Sequence, residues 1–127
     1  MGFFDGASPV SDEGSTLELA RWLDWPIVLV VPAAKAGRSV RAAIRGFQLE
    51  AGADRIRGLI LNLVSGESHA DYLKQALADL KIPILGALPR LPELQWLERH
   101  LGLQAVSETS LPDRASLGRL AEQYLNL

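Results

Sequence analysis

The sequence contains no cysteine, and aromatic residues make up only 6% of its 127 residues. The absence of cysteine excludes disulfide bonds, thiolate metal ligands and a cysteine nucleophile from this chain. The longest apolar run, Pro26–Ala34, is far shorter than the roughly 20 residues that a membrane-spanning helix needs. Residues 1–14 lack the basic segment and apolar core of a secretory signal. We therefore expect a soluble, cytoplasmic protein that does not bind a membrane.

An excess of positive charge is also missing. Thirteen Lys and Arg residues against fifteen Asp and Glu residues give a formal net charge of -2. With this net charge, the protein lacks the positive electrostatic field that attracts proteins to the phosphates of nucleic acids. Nucleic acid is therefore not expected as a partner. The length fits one domain, and 48% apolar residues are enough for a buried core.

Apolar segments alternate with amphipathic ones along the chain. Three apolar segments, Ile27–Val31, Leu59–Leu63 and Ile82–Leu88, predict buried strands. Between them, apolar residues recur at spacings of three and four, which predicts helices. The alternation indicates two successive right-handed βαβ units and a parallel sheet. Because the apolar residues of Ile27–Val31 are consecutive, we expect a central strand with both faces covered.

Helices are also predicted at both ends of this unit. Ser15 or Thr16 can cap a helix that precedes the first strand, and Asp113 can cap the last helix. Between the third strand and the last helix, we expect a short helical piece at residues 94–99 and a short strand at residues 102–106.

Common catalytic and phosphate-binding motifs are missing. No lysine follows a glycine and no two glycines are spaced G-x-G, so the sequence has neither a Walker A loop nor a dinucleotide fingerprint. The two histidines lie far apart without a metalloprotease frame, and no serine lies in G-x-S-x-G. Metalloprotease and serine hydrolase activities are therefore excluded.

The carboxyl ends of the strands are where an open parallel sheet binds ligands. Asn62 ends the second strand, where its amide either reads the edge of a planar base or forms a local Asx turn. Arg90 either faces an anion or is simply solvated. Asp5, next to Gly6, either holds Mg²⁺ or a substrate amine or belongs to a plain turn.

Several segments together resemble the cobyrinate a,c-diamide synthase family, in its order and spacing. The resemblance covers nearly the whole chain, and the Arg-His-Leu-Gly-Leu block separates this family from dethiobiotin synthetase and cobyric acid synthase. The matching blocks are Gly2-Phe3-Phe4-Asp5-Gly6, Gly14–Arg21, Pro26–Val31, Arg45-Gly46-Phe47, Gly58–Asn62, Leu85–Arg90 and Glu98–Leu103.

The resemblance implies an α/β fold, namely an incomplete three-layer, mostly parallel sheet with flanking helices that forms the second half of a P-loop ligase fold. It implies an amidoligase of cobalamin biosynthesis that uses ATP, Mg²⁺ and glutamine to amidate acetate side chains of a corrin ring. In the family, a P-loop precedes the matched blocks and a glutaminase domain follows them. We therefore expect residues 1–127 to be a single partial domain that binds ATP weakly and is inactive by itself.

The resemblance also implies roles for individual residues. Pro32 stands where the family usually has an aspartate, which weakens the match to a complete substrate or metal site. We expect the side chains of Asp5, Asn62 and Arg90 to face one shared pocket at the strand ends. The implied roles are catalysis and Mg²⁺ binding for Asp5, nucleotide binding for Asn62, Leu88, Pro89 and Arg90, and substrate binding for Gly14, Ser15 and Thr16.

Two other interpretations remain open. The first is a stand-alone interaction module that kept the fold and lost catalysis, with Pro32 as its sign. The second is a phosphotransfer receiver domain, which would need clustered acids that Asp5 alone does not supply. Whether the chain is a fragment of the enzyme or an interaction module, its sheet lacks the strand that precedes the P-loop in the family. The strand next to that position has an unpaired edge, so we expect self-association through this edge.

Overall fold

The structure, a computed structural model, describes residues 2–52, 54–94 and 113–126. Helices and strands alternate along these ranges, as the sequence pattern predicts. Of the helical piece predicted at residues 94–99, only Leu94 is described, as the last residue of a 3-10 turn. Its other residues and the predicted strand at 102–106 lie outside the described residues. The helices are α1 (Thr16–Trp22), α2 (Val40–Ala51), α3 (Glu67–Leu77) and α4 (Arg114–Tyr124), the strands are β1 (Ile27–Pro32), β2 (Ile56–Val64) and β3 (Ile84–Pro89), and 3-10 turns span Ala78–Leu80 and Pro92–Leu94.

The three strands form one parallel sheet in the order β1-β2-β3. Crossovers between parallel strands are right-handed as a rule, and both connections step in the same direction across the sheet, which places α2 and α3 on the same face. The core forms between these helices and the strands, and the α/β class with a parallel sheet and flanking helices is confirmed. Its fully buried side chains include Ile44 on α2, Leu59 and Leu61 on β2, and Leu73 on α3.

The strand β1 differs from the prediction of a central strand with two covered faces. Among the strands of the described residues, it lies at one edge of the sheet, and β2 is the central strand. Burial alternates along β1: Val31 is buried, whereas Val28 and Val30 are 46% and 56% exposed. A continuous apolar run predicts burial on both faces, but the described helices α2 and α3 cover only one of them. The other is called the open face below.

The amino-terminal segment packs against α2. The rings of Phe3 and Phe4 lie 5.7 and 5.4 Å from the ring of Phe47, and the Phe4 and Phe47 rings are stacked. The backbone N–H of Leu17 donates to the carbonyl of Phe3 at 3.1 Å, which joins this segment to the start of α1. Within the described residues, no helix has the length and apolarity needed to cross a bilayer.

Candidate functional site

The carboxyl ends of the three strands form a rim at one edge of the sheet. In the parallel pairing, Pro32 lies beside Asn62, and Asn62 lies beside Leu88. Paired residues share a face, so these three side chains lie on the open face together with Val28 and Val30. Pro89 and the exposed Arg90 follow Leu88 directly. The structure thus brings together the four residues predicted to bind the nucleotide.

A bulge in β2 follows Asn62. Leu88 pairs with Asn62 and Pro89 pairs with Val64, so Leu63 is an extra residue between the two pairs. Leu63 has φ 63°, a left-handed conformation that a leucine rarely adopts. Bulges and strained residues of this kind are frequent beside binding sites because they redirect neighbouring side chains.

The loop between β1 and α2 is fixed to the same point of β2. The backbone N–H of Ala33 donates to the carbonyl of Asn62 at 2.6 Å, and Ala33 is fully buried. Two residues later, Lys35 has φ 55°, a second left-handed residue at the rim. Two non-glycine residues beside Asn62 therefore have a costly backbone conformation: Leu63 in the bulge of β2 and Lys35 in the β1–α2 loop.

Two helices begin at the rim. The N-cap residues of α2 and α3, Ser39 and Gly66, make no side-chain capping hydrogen bond. In α2, the backbone N–H groups of Val40, Arg41 and Ala42 instead donate to the carbonyls of Gly37, Arg38 and Ser39. The start of a helix still carries the partial positive charge of the helix dipole, which favours nearby anions.

Asp5 lies elsewhere. The ring of Phe4, its neighbour, stacks on Phe47 in the carboxyl half of α2. Asp5 and Glu50 line one surface depression, which includes neither Asn62 nor Arg90. Since α2 begins at the rim and ends near the amino ends of the strands, its carboxyl half lies away from the rim. The expected shared pocket of Asp5, Asn62 and Arg90 therefore does not form in the described residues. Without a β-strand ahead of it in these ranges, Asp5 is positioned by aromatic packing of Phe3 and Phe4 on α2.

The predicted substrate-binding residues Gly14, Ser15 and Thr16 lie at the start of α1. The Ser15 hydroxyl accepts a hydrogen bond from the N–H of Glu18 at 3.1 Å, and the Glu18 carboxylate accepts one from the N–H of Gly14 at 2.7 Å. Ser15 is only 3% exposed, so its hydroxyl is committed to the helix cap. The hydroxyl of Thr16 is exposed and donates to the carbonyl of Gly2 at 3.3 Å.

The described residues do not form a complete metal cage. No group of three or more His, Cys, Asp or Glu side chains in these ranges lies close enough to hold a metal ion. Mg²⁺ is usually held by one or two carboxylates together with substrate phosphates and water. A single carboxylate such as Asp5 therefore fits Mg²⁺ only when a phosphate ligand supplies further oxygens.

Sequence reasoning missed one residue at the rim, His69. Its ring lies between the two loops that follow β1 and β2, with one nitrogen 3.0 Å from the N–H of Ser65 and the other 2.7 Å from the carbonyl of Ala36. The four-residue spacing from Ser65 to His69 was the available signal, since a side chain one turn into a helix can reach back to the preceding backbone.

A protein-family model described as "AAA domain" matches residues 2–98. The chain belongs to this family. The match includes the rim and the first three helices, and it agrees with the α/β fold of the structure.

Curated relatives give a narrower similarity. The chain is 47% identical to a hydrogenobyrinate a,c-diamide synthase from Brucella ovis, over 85% of this chain and 24% of the relative. It is 44% identical to a cobyrinate a,c-diamide synthase from a Synechococcus species, over the same shares, and 37% identical to one from Methanococcus maripaludis, over 99% of this chain and 29% of the relative. No solved structure matches the chain. The resemblance inferred from the sequence motifs is confirmed, and the chain spans about a quarter of the length of these relatives.

Proposed function

We propose that this chain forms the nucleobase-binding part of the synthetase domain of an amidoligase of the cobyrinate a,c-diamide synthase type. The observation that carries the proposal is the register at the rim, where Asn62 pairs with Leu88 beside a strained bulge. The names of the relatives support the reaction class.

Each rim residue has a chemical task in this proposal. The amide of Asn62 offers one acceptor and two donors, which match the donor and acceptor on the edge of adenine. Leu88 and Pro89 offer apolar contact to the face of the base. Arg90 is exposed directly after them and can bind a phosphate or carboxylate through its guanidinium group.

The proposed reaction is carboxylate activation. An acetate carboxylate of the corrin ring attacks the γ-phosphorus of ATP, forming an acyl phosphate and releasing ADP. Ammonia from glutamine then attacks the acyl carbon, phosphate leaves, and an amide forms. Mg²⁺ supplies charge neutralisation of the ATP phosphates when it is bound. From the resemblance we assign Asp5 as the acid that approaches Mg²⁺, which requires the phosphates to extend away from the rim toward Asp5. Gly14 and Thr16 are assigned as contacts to the corrinoid, whereas the buried hydroxyl of Ser15 serves the cap of α1.

The nucleotide affinity of these 127 residues should be weak. The sequence contains no Walker A motif, so the backbone N–H cradle that grips the β- and γ-phosphates is absent from this chain. We expect adenosine and Mg-ATP to bind with similar millimolar dissociation constants, because the base and not the phosphates provides the contacts.

An NMR titration tests this proposal. Adenosine should shift the side-chain amide resonances of Asn62, and the Asn62→Leu variant should lose the binding. Arg57→Ala is the matched control, because Arg57 is exposed near the other end of the same strand and should leave binding unchanged. Micromolar binding of Mg-ATP would contradict the weak phosphate contribution, and adenosine binding that survives Asn62→Leu would contradict the assignment of the base site.

A second candidate function, a non-catalytic interaction module, is favoured by the open face. Val28 and Val30 are exposed on β1, and Trp22 and Trp25 nearby in the sequence are 74% and 63% exposed. The outer edge of β1 has no partner strand within the described residues. We propose that two copies of this chain associate through these edges, because an unpaired edge beside apolar side chains is a template for strand pairing.

Sedimentation equilibrium tests the self-association. A dimer should form in the wild-type chain and dissociate in Val30→Lys, since a charge on the edge strand opposes pairing. Leu49→Lys is the control, because Leu49 is exposed on α2, away from the β1 edge. A monomeric wild-type chain at high concentration would overturn this proposal.

A further inference from the structure

His69 joins the two loops of the rim through both nitrogens of its ring. The backbone N–H of Ser65 donates to Nδ1 at 3.0 Å, so Nδ1 carries a lone pair and no proton. The proton of the neutral ring is therefore on Nε2, which lies 2.7 Å from the carbonyl oxygen of Ala36 and donates to it. The hydrogen-bonding capacity of the neutral imidazole is used completely.

The two bonds differ in what they connect. Ser65 lies four residues before His69, so the first bond is local to the start of α3. Ala36 lies 33 residues before His69, in the loop between β1 and α2. A capping role for His69 would need only the bond to Ser65. The bond to Ala36 instead ties one rim loop to the next.

A strained residue lies close to each anchor of this bridge, one in the β1–α2 loop and one in the bulge of β2. Lys35, which has φ 55°, directly precedes Ala36, and Leu63, which has φ 63°, lies two residues before Ser65. Left-handed backbone is unfavourable for non-glycine residues and persists only where the surroundings hold it. A bridge between the loops supplies such a constraint at the point where it is needed.

We propose that His69 is a positioning residue of the rim: it clips the β1–α2 loop to the β2–α3 loop and so fixes the start of α2 relative to Asn62. The clip itself does not depend on the proposed function. Its consequence for ligands rests on that function, since a fixed rim presents Asn62 and Arg90 in one arrangement to the base.

Three substitutions separate the two bonds. His69→Asn keeps an acceptor at the place of Nδ1 and loses the donor to Ala36. His69→Gln places an amide donor at the level of Nε2 and loses the acceptor for Ser65. His69→Leu removes both bonds. Gln75→Leu is the control, because Gln75 is exposed further along α3.

Amide hydrogen exchange without any ligand measures the clip. The N–H of Ala36 bonds the carbonyl of Ala33 and the N–H of Val40 bonds that of Gly37, so both report the order of the β1–α2 loop. We expect exchange at these two amides to rise roughly two- to tenfold in His69→Asn and His69→Leu, and to stay close to wild type in His69→Gln. Exchange at Ser65 should rise in His69→Leu and His69→Gln.

The ring itself gives a second readout. Nitrogen NMR of the wild-type imidazole should show the proton on Nε2. A ring protonated on Nδ1 in the neutral state, or unchanged exchange at Ala36 in His69→Asn, would overturn the clip. Circular dichroism of each variant shows whether it is folded, and the Asn and Gln variants keep the comparison valid if the Leu variant unfolds.

Adenosine titration separates the clip from the proposed function. Weaker adenosine binding in His69→Asn than in Gln75→Leu would support the positioning role. Equal binding in these two variants would overturn it. If the wild-type chain does not bind adenosine but loosening at Ala36 is seen in His69→Asn, the clip stands and the proposed function fails.

Discussion

At the scale of single residues, the caps of α1 and α4 are set by local chemistry. The sequence offered Ser15 or Thr16 for α1, and the structure selects Ser15, whose hydroxyl accepts from the N–H of Glu18. Asp113 caps α4 as predicted and accepts from the N–H and the hydroxyl of Ser116 at 2.8 and 3.0 Å. Both caps join residues three apart, which is why the sequence alone was sufficient to find them.

Replacing Ser15 should destabilise the chain. We expect Ser15→Ala to lower the free energy of unfolding by about 1 kcal/mol, because the N–H of Glu18 then loses its acceptor. Urea denaturation measures the change. Ser11→Ala is the control, because Ser11 is exposed before the cap and should change stability by less than about 0.5 kcal/mol. A Ser15→Ala variant as stable as Ser11→Ala would show that the cap contributes nothing.

The cap of α4 should depend on pH. The hydrogen bonds from Ser116 favour the charged carboxylate and hold the pKa of Asp113 below its ordinary value. The capped state is therefore fully stabilised above the carboxyl pKa of the unfolded chain and loses this contribution as the pH falls through the lower, folded pKa. The protection of the Ser116 amide, which is its exchange rate relative to the unprotected rate at the same pH, should fall in that acidic range. In Asp113→Asn, which keeps an acceptor without a titrating group, that loss of protection should be absent.

At the scale of helices and strands, apolar period and turn residues predicted the order of elements. The spacing of Val40, Ile44 and Phe47 predicted α2, and the structure buries Val40 and Ile44 and packs Phe47 against the core. The same reasoning misplaced β1, because a run of apolar residues shows that a strand can be covered on both faces. It does not show that the chain contains helices or strands that pack against both faces.

Two glycines, one inside α2 and one at its carboxyl end, should respond to alanine substitution with opposite changes in stability. Gly46 lies inside the helix, and a Cβ there would meet no atom within 4 Å, so Gly46→Ala should stabilise the chain by about 0.5 to 1 kcal/mol. Gly52 ends the helix with φ 100°, a conformation that alanine resists, so Gly52→Ala should destabilise it. Thermal unfolding measures both variants. A destabilised Gly46→Ala would contradict the exposed position of that residue.

At the scale of the whole molecule, α4 joins the sheet through β3. Gly86 forms an antiparallel bridge with Leu125, and the N–H of Asn126 donates to the carbonyl of Leu85 at 2.7 Å. These contacts join the residues that directly follow α4 to strand β3. The sequence pattern gave no signal for it, because glycine at position 86 is also compatible with an ordinary strand.

The contact at Gly86 can be broken by one methyl group. A Cβ there would lie 2.5 Å from a methyl carbon of Leu125 and 2.7 Å from the carbonyl oxygen of Tyr124, so Gly86→Ala should separate the end of α4 from β3. Amide exchange at Asn126 should rise strongly, while exchange in the core of β2 changes little. Gly118→Ala is the control, since a Cβ at that position meets no atom within 4 Å. Unchanged exchange at Asn126 would contradict this docking.

The candidate site was predicted unevenly. Asn62, Leu88, Pro89 and Arg90 were placed correctly at one edge, because parallel strands bring their carboxyl ends together. The position of Asp5 was not predicted correctly, because it depends on the surface against which the segment before α1 packs. His69 was missed because its partner Ala36 is distant in sequence, and only folding brings the two together.

The sequence by itself determined the alternation of strands and helices, the parallel sheet, the caps and the rim residues of β2 and β3. Each of these follows from interactions over a few residues or from the handedness of the chain. Only the tertiary structure decided that β1 is an edge strand in the described part of the sheet, that Asp5 lies away from Asn62, and that His69 ties two loops. These features depend on which distant surfaces meet, and burial of apolar area does not specify partners until the whole chain has packed.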